Sequence, residues 1–547
     1  MNQGRFFTAL ASVTVQTGNA ADRHWHFVPY DQLHESLGPL AKHPAERLGI
    51  VLCETTWKPR QRPYHKQKLL LLLTSQRHFA LEQARRGVAV RYLMDHRPYG
   101  AVLADAVKEL GPITVCTPAE HELRQQLAPL VRSGEMNALP HDGWLTTTQD
   151  FQDAFDGKAT WRMDSFYRLV RRRYDILMDE QKRPIGGKLS HDAENRKPWR
   201  GEPGAPVPPT FDVDGITREV CELIESKFGD HPGQMSPERI PASIEQVESY
   251  WAWVMRECLH FFGPYEDAMS TQSRQLFHTR VSGIMNLHRL LPKRVVADAL
   301  ALDLPINSQE GLVRQILGWR EYVRHIHEAT DGLRDFSKVP VNFREIEPPR
   351  RRCGSVNEPD KLLPAYWGEA SGLFCLDHVV EQVLEDAHTH HINRLMILSN
   401  WGTLLDVSPT ALTDWFWVCF DDAYDWVVEP NVFGMGTTAL DTLMVTKPYV
   451  SGSGYVNKMS DYCKHCAFNP KTNCPMTKLY WAFLERNREQ LSSNPRLRIV
   501  MSALSKRALD KKRIDALTYS AVTQTLAVGE RLTPLALKNM VETLACG

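Results

Sequence analysis

Short apolar runs alternate with stretches of helical periodicity between residues 23 and 147. The runs have the length of strands and are bounded by polar or turn-forming residues, at His24–Val28, Leu48–Leu52, Val88–Leu93 and Ile113–Val115. Lys66–Arg86, between the second and third runs, has the length of a helix. Strands alternating with helices predict βαβ units in a parallel sheet. No Gly-x-Gly-x-x-Gly follows the first strand, so a conventional dinucleotide fingerprint is absent.

A polar segment separates this region from a long helical one. Residues 186–212 are rich in glycine, proline and polar side chains, which is typical of a long connection. Arg168 and the run Arg171–Arg173 precede it, and helical periodicity dominates from about Pro241 onward. The pattern predicts four parts: an extension at 1–22, an α/β domain at 23–150, a basic linker at 151–240 and a helical domain at 241–547.

The extension contains a mildly apolar run from Phe6 to Val15. A secretory signal needs a more continuous apolar stretch, and Thr8, Ser12 and Thr14 interrupt this one. We therefore expect a disordered extension rather than a cleaved signal.

The charges of the chain sum to zero but are segregated. Lys plus Arg and Asp plus Glu each number 65, which excludes a uniformly basic nucleic-acid binder. Residues 161–200 carry a net +5, residues 361–440 a net −9 and residues 441–547 a net +8, so a polyanionic partner still fits. Eleven cysteines in 547 residues are too few for a disulfide scaffold. No run approaches the roughly 18 apolar residues of a membrane span.

One helical stripe changes from aliphatic to polar. Over 376–398 the apolar residues recur with helical spacing, and extending their face leads to His390, His391 and Arg394. A single histidine there would be explained by ordinary hydrogen bonding at a helix end. Three polar residues on one buried face need polar partners, which favours a ligand pocket.

A segment rich in tryptophan and aspartate follows at 414–431. Its notable residues are Trp415, Trp417, Trp426, Asp421, Asp422, Asp425 and Asn431. Two interpretations fit the pattern: core packing beside a solvated acidic face, or a chain of tryptophans leading to a redox cofactor.

Three cysteines are closely spaced, as Cys463-x2-Cys466-x7-Cys474, and Cys375 lies upstream. Clustered thiolates indicate a metal, either zinc closed by Cys375 or His465 or an iron–sulfur cluster. Spacing alone leaves the metal open.

Two segments have features of anion binding. Thr279, Ser282 and Gly283 are hydroxyl and small residues at a predicted helix start, where backbone can approach a phosphate. Farther on, Trp319 and Tyr322 alternate with Arg320 and Arg324 at helical spacing, so the aromatic residues would be core and the arginines would face phosphate.

Together these residues resemble the photolyase/cryptochrome superfamily, and within it the bacterial iron–sulfur branch, the prokaryotic (6-4) photolyases. The shared motifs read EGLVRQILGWREYVR, AYWGE, HTHHINRLM, WVVEPNVFGM, TKPYVSGSGYVNKMSDYC and KHCAFNPKTNCP. The similarity runs from about Arg23 to about Ser505. It implies a Rossmann-like antenna domain with a parallel sheet, a long linker, and a helical FAD-binding domain with an iron–sulfur cluster.

The resemblance assigns roles to individual residues of the helical domain. Cys375, Cys463, Cys466 and Cys474 match the ligands of a [4Fe–4S] cluster. The matches to the FAD site are His278, Thr279, Ser282, Gly283, Asn286, Asn431 and an ion pair of Arg394 with Asp425. His391 matches the lesion-facing proton donor, with His390, Tyr449 and Tyr455 beside it. Trp415 and Trp367 match the flavin-reducing electron path, and Phe416 stands where the branch often has tyrosine.

In the α/β domain the resemblance implies a 6,7-dimethyl-8-ribityllumazine antenna. The matching positions are Asp31, Gln32, Glu54, His65, Lys66 and Lys68, although Tyr30 replaces a usual glycine. Asp267 resembles an acidic residue linked to Mg²⁺. The implied protein is a monomeric, cytoplasmic bacterial enzyme that acts on UV-damaged DNA and has no membrane association. A cryptochrome-like photoreceptor with the same cofactors is the alternative.

Overall fold

The structure is a computed structural model that describes residues 4–14, 23–156, 158, 160–335, 362–440 and 443–546. Its α/β domain is built on a parallel sheet of five strands in the order β3-β2-β1-β4-β5. The strands are β1 His24–Phe27, β2 Leu48–Thr55, β3 Ala89–Asp95, β4 Ile113–Cys116 and β5 Met136–Leu139. The predicted α/β class and four strands are confirmed. The pattern missed β5, whose two central residues are exposed and give no apolar run.

The sheet brings polar groups to one edge. All eight residues of β2 are buried, and its last residues include Glu54. The strand order reverses at β1, which pairs with β2 on one side and β4 on the other. In open parallel sheets, ligands bind beyond the carboxyl ends of the strands near such a reversal. Glu54 and the residues that follow β1 are therefore near the place where a ligand is expected.

Helices surround the sheet and form the rest of the chain. The helices of eight or more residues in the first half of the chain are Arg5–Val13, Lys66–Arg85, Tyr99–Leu110, His121–Arg132, Thr148–Phe155, Met163–Arg173, Gly215–Phe228 and Ile244–Glu257. Those that follow are Pro292–Ala301, Ile306–Val313, Glu321–Ala329, Phe374–Asp386, Pro409–Cys419, Pro475–Arg486, Arg498–Ser505, Leu509–Ala527 and Pro534–Cys546. Within the described ranges, no helix combines the length and apolarity that crossing a bilayer requires.

The extension is helical where the structure describes it, contrary to the expected disorder. Its helix Arg5–Val13 packs against the helices Lys66–Arg85 and Gly215–Phe228. Phe6 and Leu10, four residues apart on one helical face, are both buried. That spacing places two apolar side chains on one stripe, which the interruptions by Thr and Ser concealed in the sequence.

Part of the basic stretch before the connection is structural. The Arg171 guanidinium is fully buried and donates to the carbonyl oxygens of Ile176, Leu177 and Leu189 at 2.7 to 3.0 Å. Arg173 pairs with Asp150. Arg171 is therefore not available to a polyanionic partner, because its donors satisfy a buried turn.

One buried ion pair joins the two domains. Arg289 of the helical domain donates through both terminal nitrogens to Glu82 of the α/β domain, at 2.8 and 2.6 Å. Arg289 also donates to Ala242 O at 3.2 Å, and its side chain is only 1% exposed. A buried, bidentate pair of this kind fixes relative orientation, because removing either partner leaves an uncompensated charge.

We predict that Arg289→Met lowers the free energy of unfolding by about 3 kcal/mol, since Glu82 would stay buried without its cation. Thermal unfolding followed by circular dichroism measures this change. Arg294→Met is the matched control, because Arg294 pairs with Glu248 and Asp298 on the surface and is 47% exposed. It should cost less than about 1 kcal/mol. Equal losses in the two variants would contradict a special role for the buried pair.

Candidate active site

A cavity of about 240 Å³ lies within the helical domain. Eight of the predicted residues line it: His278, Thr279, Ser282, Asn286, His390, His391, Arg394 and Asn431. They come from segments that are far apart in sequence, so the fold assembles the site. Gly283 is not in the wall. A Cβ there would lie 2.9 Å from Leu71 Cδ2, so glycine at this position lets the α/β domain pack closely.

The cavity contains an ion pair whose acidic partner differs from the prediction. Arg394 donates to both carboxylate oxygens of Asp422, at 2.9 and 3.0 Å. Ser282 Oγ donates to the same carboxylate at 2.6 Å, and Asn286 Nδ2 donates to the Asp422 carbonyl at 2.9 Å. The Arg394 guanidinium keeps the pKa of Asp422 well below its usual range although burial opposes this. The pair thus links three segments around the cavity.

Asp425, the predicted partner, lies elsewhere. It begins the helix Asp425–Glu429 and accepts from the backbone N–H of Glu122 at 3.3 Å, on the side of the α/β domain. Asp421, Asp422 and Asp425 lie in one turn, and their spacing cannot show which carboxylate faces Arg394. The predicted Arg394–Asp425 pair is therefore wrong in its acidic member.

Three histidines form a compact group on the cavity wall. The rings of His278 and His390 are stacked, with centroids 4.3 Å apart and planes 6° apart. His391 lies edge-on to His278 at 5.4 Å. Burial lowers the pKa of His278 and of His390 well below the ordinary value, so both are neutral at pH 7.

The wall also presents polar atoms that need a ligand. Among the described residues, His278 Nε2, His390 Nδ1 and Arg320 Nη2 are buried without a hydrogen-bond partner. Such atoms are costly unless a bound group or water satisfies them. The cavity is thus suited to a large ligand that has both hydrogen-bond donors and acceptors.

At the cavity mouth His391 is exposed to solvent and lies near an acidic residue. Asp267 accepts from Tyr455 Oη at 3.3 Å and lies 3.8 Å from Arg196 Nε. Desolvation by the surrounding walls lowers the pKa of His391, and the negative charge of Asp267 raises it. Tyr449 is 37% exposed at this surface. The mouth therefore offers one imidazole and two phenols to a bound partner.

A second cavity, of about 60 Å³, lies between the α/β domain and the segment 417–424. Of the six positions predicted for the antenna, Glu54 and Lys68 line it. Asp31 accepts from Ala119 N at 3.2 Å, and Gln32 Nε2 donates to Cys116 O at 3.1 Å.

The remaining two predicted antenna positions serve domain contacts. His65 Nε2 is bonded to Leu384 O at 2.9 Å, and Lys66 Nζ donates to Glu225 at 3.3 Å. Neither side chain lines the second cavity. The side chains of adjacent residues at a helix start point in different directions. Sequence similarity does not show which of them faces the cavity.

Several residues at the second cavity were not predicted from the sequence. Lys58 Nζ donates to Glu120 and, at 3.3 Å, to Tyr30 Oη. Burial lowers the pKa of Lys58 to about 8 and that of Lys68 to about 7. Lys68 Nζ donates to the carbonyl oxygens of Trp417 and Ala423. Lys58 follows β2 at the edge where a ligand is expected, and that position was the one available signal.

Aromatic rings connect the wall of the first cavity with the surface. Arg394 Cζ lies 4.3 Å from the centroid of the Phe420 ring, and Phe420 lies 5.8 Å from Trp415. The Trp415 ring is buried and meets Tyr366 edge-on at 5.2 Å. Trp367 follows Tyr366 in the chain and is 45% exposed.

Comparison with known proteins identifies the family. The chain is 33% identical over 486 residues to the (6-4) photolyase of Agrobacterium fabrum, which covers 85% of this chain and 92% of that relative. It belongs to the (6-4) photolyases of the photolyase/cryptochrome superfamily. Residues 26–240 also match the family model for deoxyribodipyrimidine photo-lyase-related protein.

Solved structures agree with the photolyase fold. A bacterial class III photolyase from Agrobacterium tumefaciens superposes with a TM-score of 0.52 at 12% identity, over 97% of this chain and 99% of that chain. A Synechocystis cryptochrome superposes with a TM-score of 0.51 at 14% identity, over 86% and 94% of the two chains. The fold is thus shared by a photolyase and a cryptochrome, so the named sequence relative is what identifies this chain as a photolyase.

Membership in the photolyase family implies FAD, and the first cavity fits it. The cavity has neutral histidines, a buried ion pair and polar atoms that need partners, all along one continuous wall. Its basic group, Arg394, is held in place by Asp422, so a ligand meets a positioned guanidinium. Asp422 and Arg320 line this cavity together with the eight predicted residues in its wall.

The cysteines of this photolyase also converge. Cys375 lies in the first turn of the helix Phe374–Asp386, and Cys474 directly precedes the helix Pro475–Arg486. The other three thiols act electrostatically on Cys375, and Trp401 Nε1 donates to Cys375 Sγ at 3.4 Å. Burial raises the pKa of Cys463 to about 11 and that of Cys474 to about 12. Thiolates here need a bound cation, which suits a metal centre.

We predict that Asp422→Asn strongly reduces the FAD content of the purified photolyase, since Arg394 would lose its charged partner and its position. Flavin absorbance per protein measures the loss. Asp425→Asn is the matched control, because that carboxylate lies outside the cavity wall, and it should retain flavin. Loss of flavin in Asp425→Asn with retention in Asp422→Asn would restore the original assignment.

Proposed function

We propose that this photolyase reverses pyrimidine (6-4) pyrimidone photoproducts in UV-damaged DNA, driven by light. The observation that carries the proposal is the placement of His391 at the solvent-exposed mouth of the cavity whose deeper wall holds the Arg394–Asp422 pair. This arrangement lets one ligand occupy the interior while a second meets His391. A lesion must leave the duplex to reach such a mouth, and photolyases are among the enzymes that flip bases.

When bound and photoexcited in its reduced form, FAD supplies the electron that opens the lesion. Arg394 orients the flavin and stabilises negative charge on it, and Asp422 keeps the guanidinium in place. Asn431 Nδ2 donates to Val427 O at 2.8 Å, which would leave its side-chain carbonyl oxygen to accept from an N–H group of bound flavin. His278, Thr279, Ser282 and Asn286 line the part of the wall assigned to the phosphates.

His391 supplies the proton that the transferred oxygen of the lesion requires. Its imidazole is predominantly neutral at pH 7 in the DNA-free protein, because desolvation lowers its pKa. The Asp267 carboxylate opposes that shift, and the phosphates of bound DNA would act in the same direction. Protonation of the imidazole is thus coupled to substrate binding, and Tyr449 and Tyr455 position the lesion beside it.

Basic side chains near the mouth bind the DNA backbone. Lys197, Arg200 and Lys458 are exposed, and Arg200 Nη2 donates to Lys458 O at 3.1 Å, which keeps the two side by side. Lys182, Arg183 and Lys188 each pair with a nearby carboxylate. Contacts to phosphate make binding fall steeply with salt concentration.

Two further groups complete the proposal. Cys375, Cys463, Cys466 and Cys474 hold a [4Fe–4S] cluster, which their convergence and sulfur chemistry support. The second cavity holds 6,7-dimethyl-8-ribityllumazine as the antenna, contacted by Glu54 and Lys68. Mg²⁺ forms no part of the proposed reaction, and the Asp267 carboxylate lies 3.8 Å from Arg196 Nε.

Electrons that reduce the flavin enter along the aromatic side chains. Trp367 is the exposed end and Trp415 the buried end, with the Tyr366 ring in contact with Trp415. Phe416 stacks on Phe420 at 5.0 Å and has no phenol to oxidise. The route therefore does not pass through a tyrosyl radical at position 416.

We predict that His391→Ala abolishes repair of a (6-4) lesion while FAD remains bound, because the imidazole faces the mouth rather than the flavin. The assay irradiates reduced protein with an oligonucleotide carrying one lesion and measures the restored bases. A cyclobutane-dimer oligonucleotide is the substrate control. Repair at the wild-type rate would remove His391 from the reaction, and absence of repair by the wild type would favour the photoreceptor alternative.

We predict that Cys463→Ser removes the bound iron and the broad visible absorbance of an iron–sulfur cluster, since serine is a poor ligand for iron in such clusters. Iron analysis and absorption spectroscopy of purified protein measure both. Cys221→Ser is the control, because Cys221 is a partly buried thiol of the helix Gly215–Phe228. Wild-type iron content in Cys463→Ser would refute the assignment.

A further inference from the structure

The N-terminal helix Arg5–Val13 covers a buried ionic group of the α/β domain. Its Phe6 side chain is fully buried and meets the Tyr92 ring edge-on, with centroids 4.6 Å apart. The Arg77 guanidinium carbon lies 5.3 Å from the centroid of the Phe6 ring, which is a cation–π contact. One phenyl ring of the extension therefore packs against both a cation and a phenol.

Arg77 and Tyr92 both bond to Glu54. Arg77 donates from Nε and Nη2 to the two carboxylate oxygens, at 2.9 and 2.8 Å, and Tyr92 Oη donates to one of them at 2.6 Å. Arg77 is 1% exposed and Glu54 is 4% exposed. Glu54 lines the second cavity. Arg77 and Tyr92, which lie beneath Phe6, therefore fix the position of one residue in the wall of that cavity.

Glu219 ties the helix to the same group. Its carboxylate accepts from Arg77 Nη1 at 3.1 Å and from the backbone N–H of Phe6 at 2.9 Å. An acceptor at the first turn of a helix satisfies an unpaired N–H and interacts favourably with the helix dipole. The helix is thus anchored by the charged side chains that it covers, so its position depends on the positions of Glu219 and Arg77.

Covering this group changes what Glu54 can do. An Arg–carboxylate pair open to water is worth little and its side chains move, whereas a dry, bidentate pair is held in one geometry. A carboxylate accepts about four hydrogen bonds, and Arg77 and Tyr92 supply three. Glu54 retains capacity for one N–H or O–H donor of a molecule in the cavity, at a position that Arg77 and Tyr92 fix.

We infer that the helix Arg5–Val13 is a positioning element for the second cavity, in which Phe6 acts through Arg77 and Tyr92 to hold Glu54 for a hydrogen-bond donor of the antenna. Phe6 does not line the cavity itself, so its contribution is indirect. The inference rests on the proposed antenna function of that cavity. It gives a role to the extension, which lies outside the region of family resemblance.

The test measures binding of 6,7-dimethyl-8-ribityllumazine to the full-length protein by fluorescence, together with the absorption maximum of the bound chromophore. Phe6→Ala should weaken binding about tenfold, the equivalent of losing one ordinary hydrogen bond, and should shift the maximum. Phe6→Leu keeps an apolar cover over Arg77 and should stay within about threefold of the wild type. Flavin content should not change in either variant.

Leu10→Ala separates positioning from general packing. Leu10 is buried in the same apolar cluster and on the same helix, and its aliphatic side chain has no ring for a cation–π contact with Arg77. It should weaken binding by less than about twofold. Equal losses in Leu10→Ala and Phe6→Ala, or no loss in Phe6→Ala, would overturn the inference alone. A wild-type protein that does not bind the lumazine would overturn the antenna assignment, and this inference with it.

Discussion

The ion pair between Arg394 and Asp422 is the interaction on which the arrangement of the active site depends. It joins two turns that lie 28 residues apart, and the bonds from Ser282 and Asn286 bring in a third segment. A carboxylate this deeply buried is unfavourable without a cation, so the chain has few ways to close around it. The Phe420 ring lies against the same guanidinium, which aligns the aromatic side chains with the cavity.

The charges of the chain sum to zero although acidic and basic residues are concentrated in different segments. The acidic segment 361–440 supplies Asp386, Asp421 and Asp422, and arginines from other segments meet them: Arg239 and Arg274 pair with Asp386, and Arg280 pairs with Asp421. These three carboxylates are therefore paired with cations inside the protein. The cations exposed near the mouth therefore have fewer carboxylates beside them to neutralise their charge. A net charge of zero is thus compatible with a DNA-binding surface.

Prediction of structure from the sequence is most accurate where a residue type has only one structural role. The strands were found because they are apolar. The stripe led to His390, His391 and Arg394, which do line the cavity, but the single helix expected over 376–398 is wrong: it ends at Asp386, where Ala387 takes left-handed backbone, and a new helix begins at His391. The choice between Asp422 and Asp425 failed because both lie in one turn, whose direction depends on tertiary packing. Lys58 was missed because a buried lysine has no periodic signal. The N-terminal helix was missed because only two side chains, Phe6 and Leu10, provide most of its buried apolar face.

The two bonds that Lys68 makes have a consequence for how the cofactors influence each other. Lys68 lines the second cavity and donates to the carbonyl oxygens of Trp417 and Ala423, so it fixes both sides of the loop that contains Asp422. A chromophore that changes the position or protonation of Lys68 therefore acts on the partner of Arg394. Where occupancy of one cavity alters affinity at the other, thermodynamic linkage makes the reverse effect equal in size. The antenna would then be an effector of flavin binding as well as a collector of light.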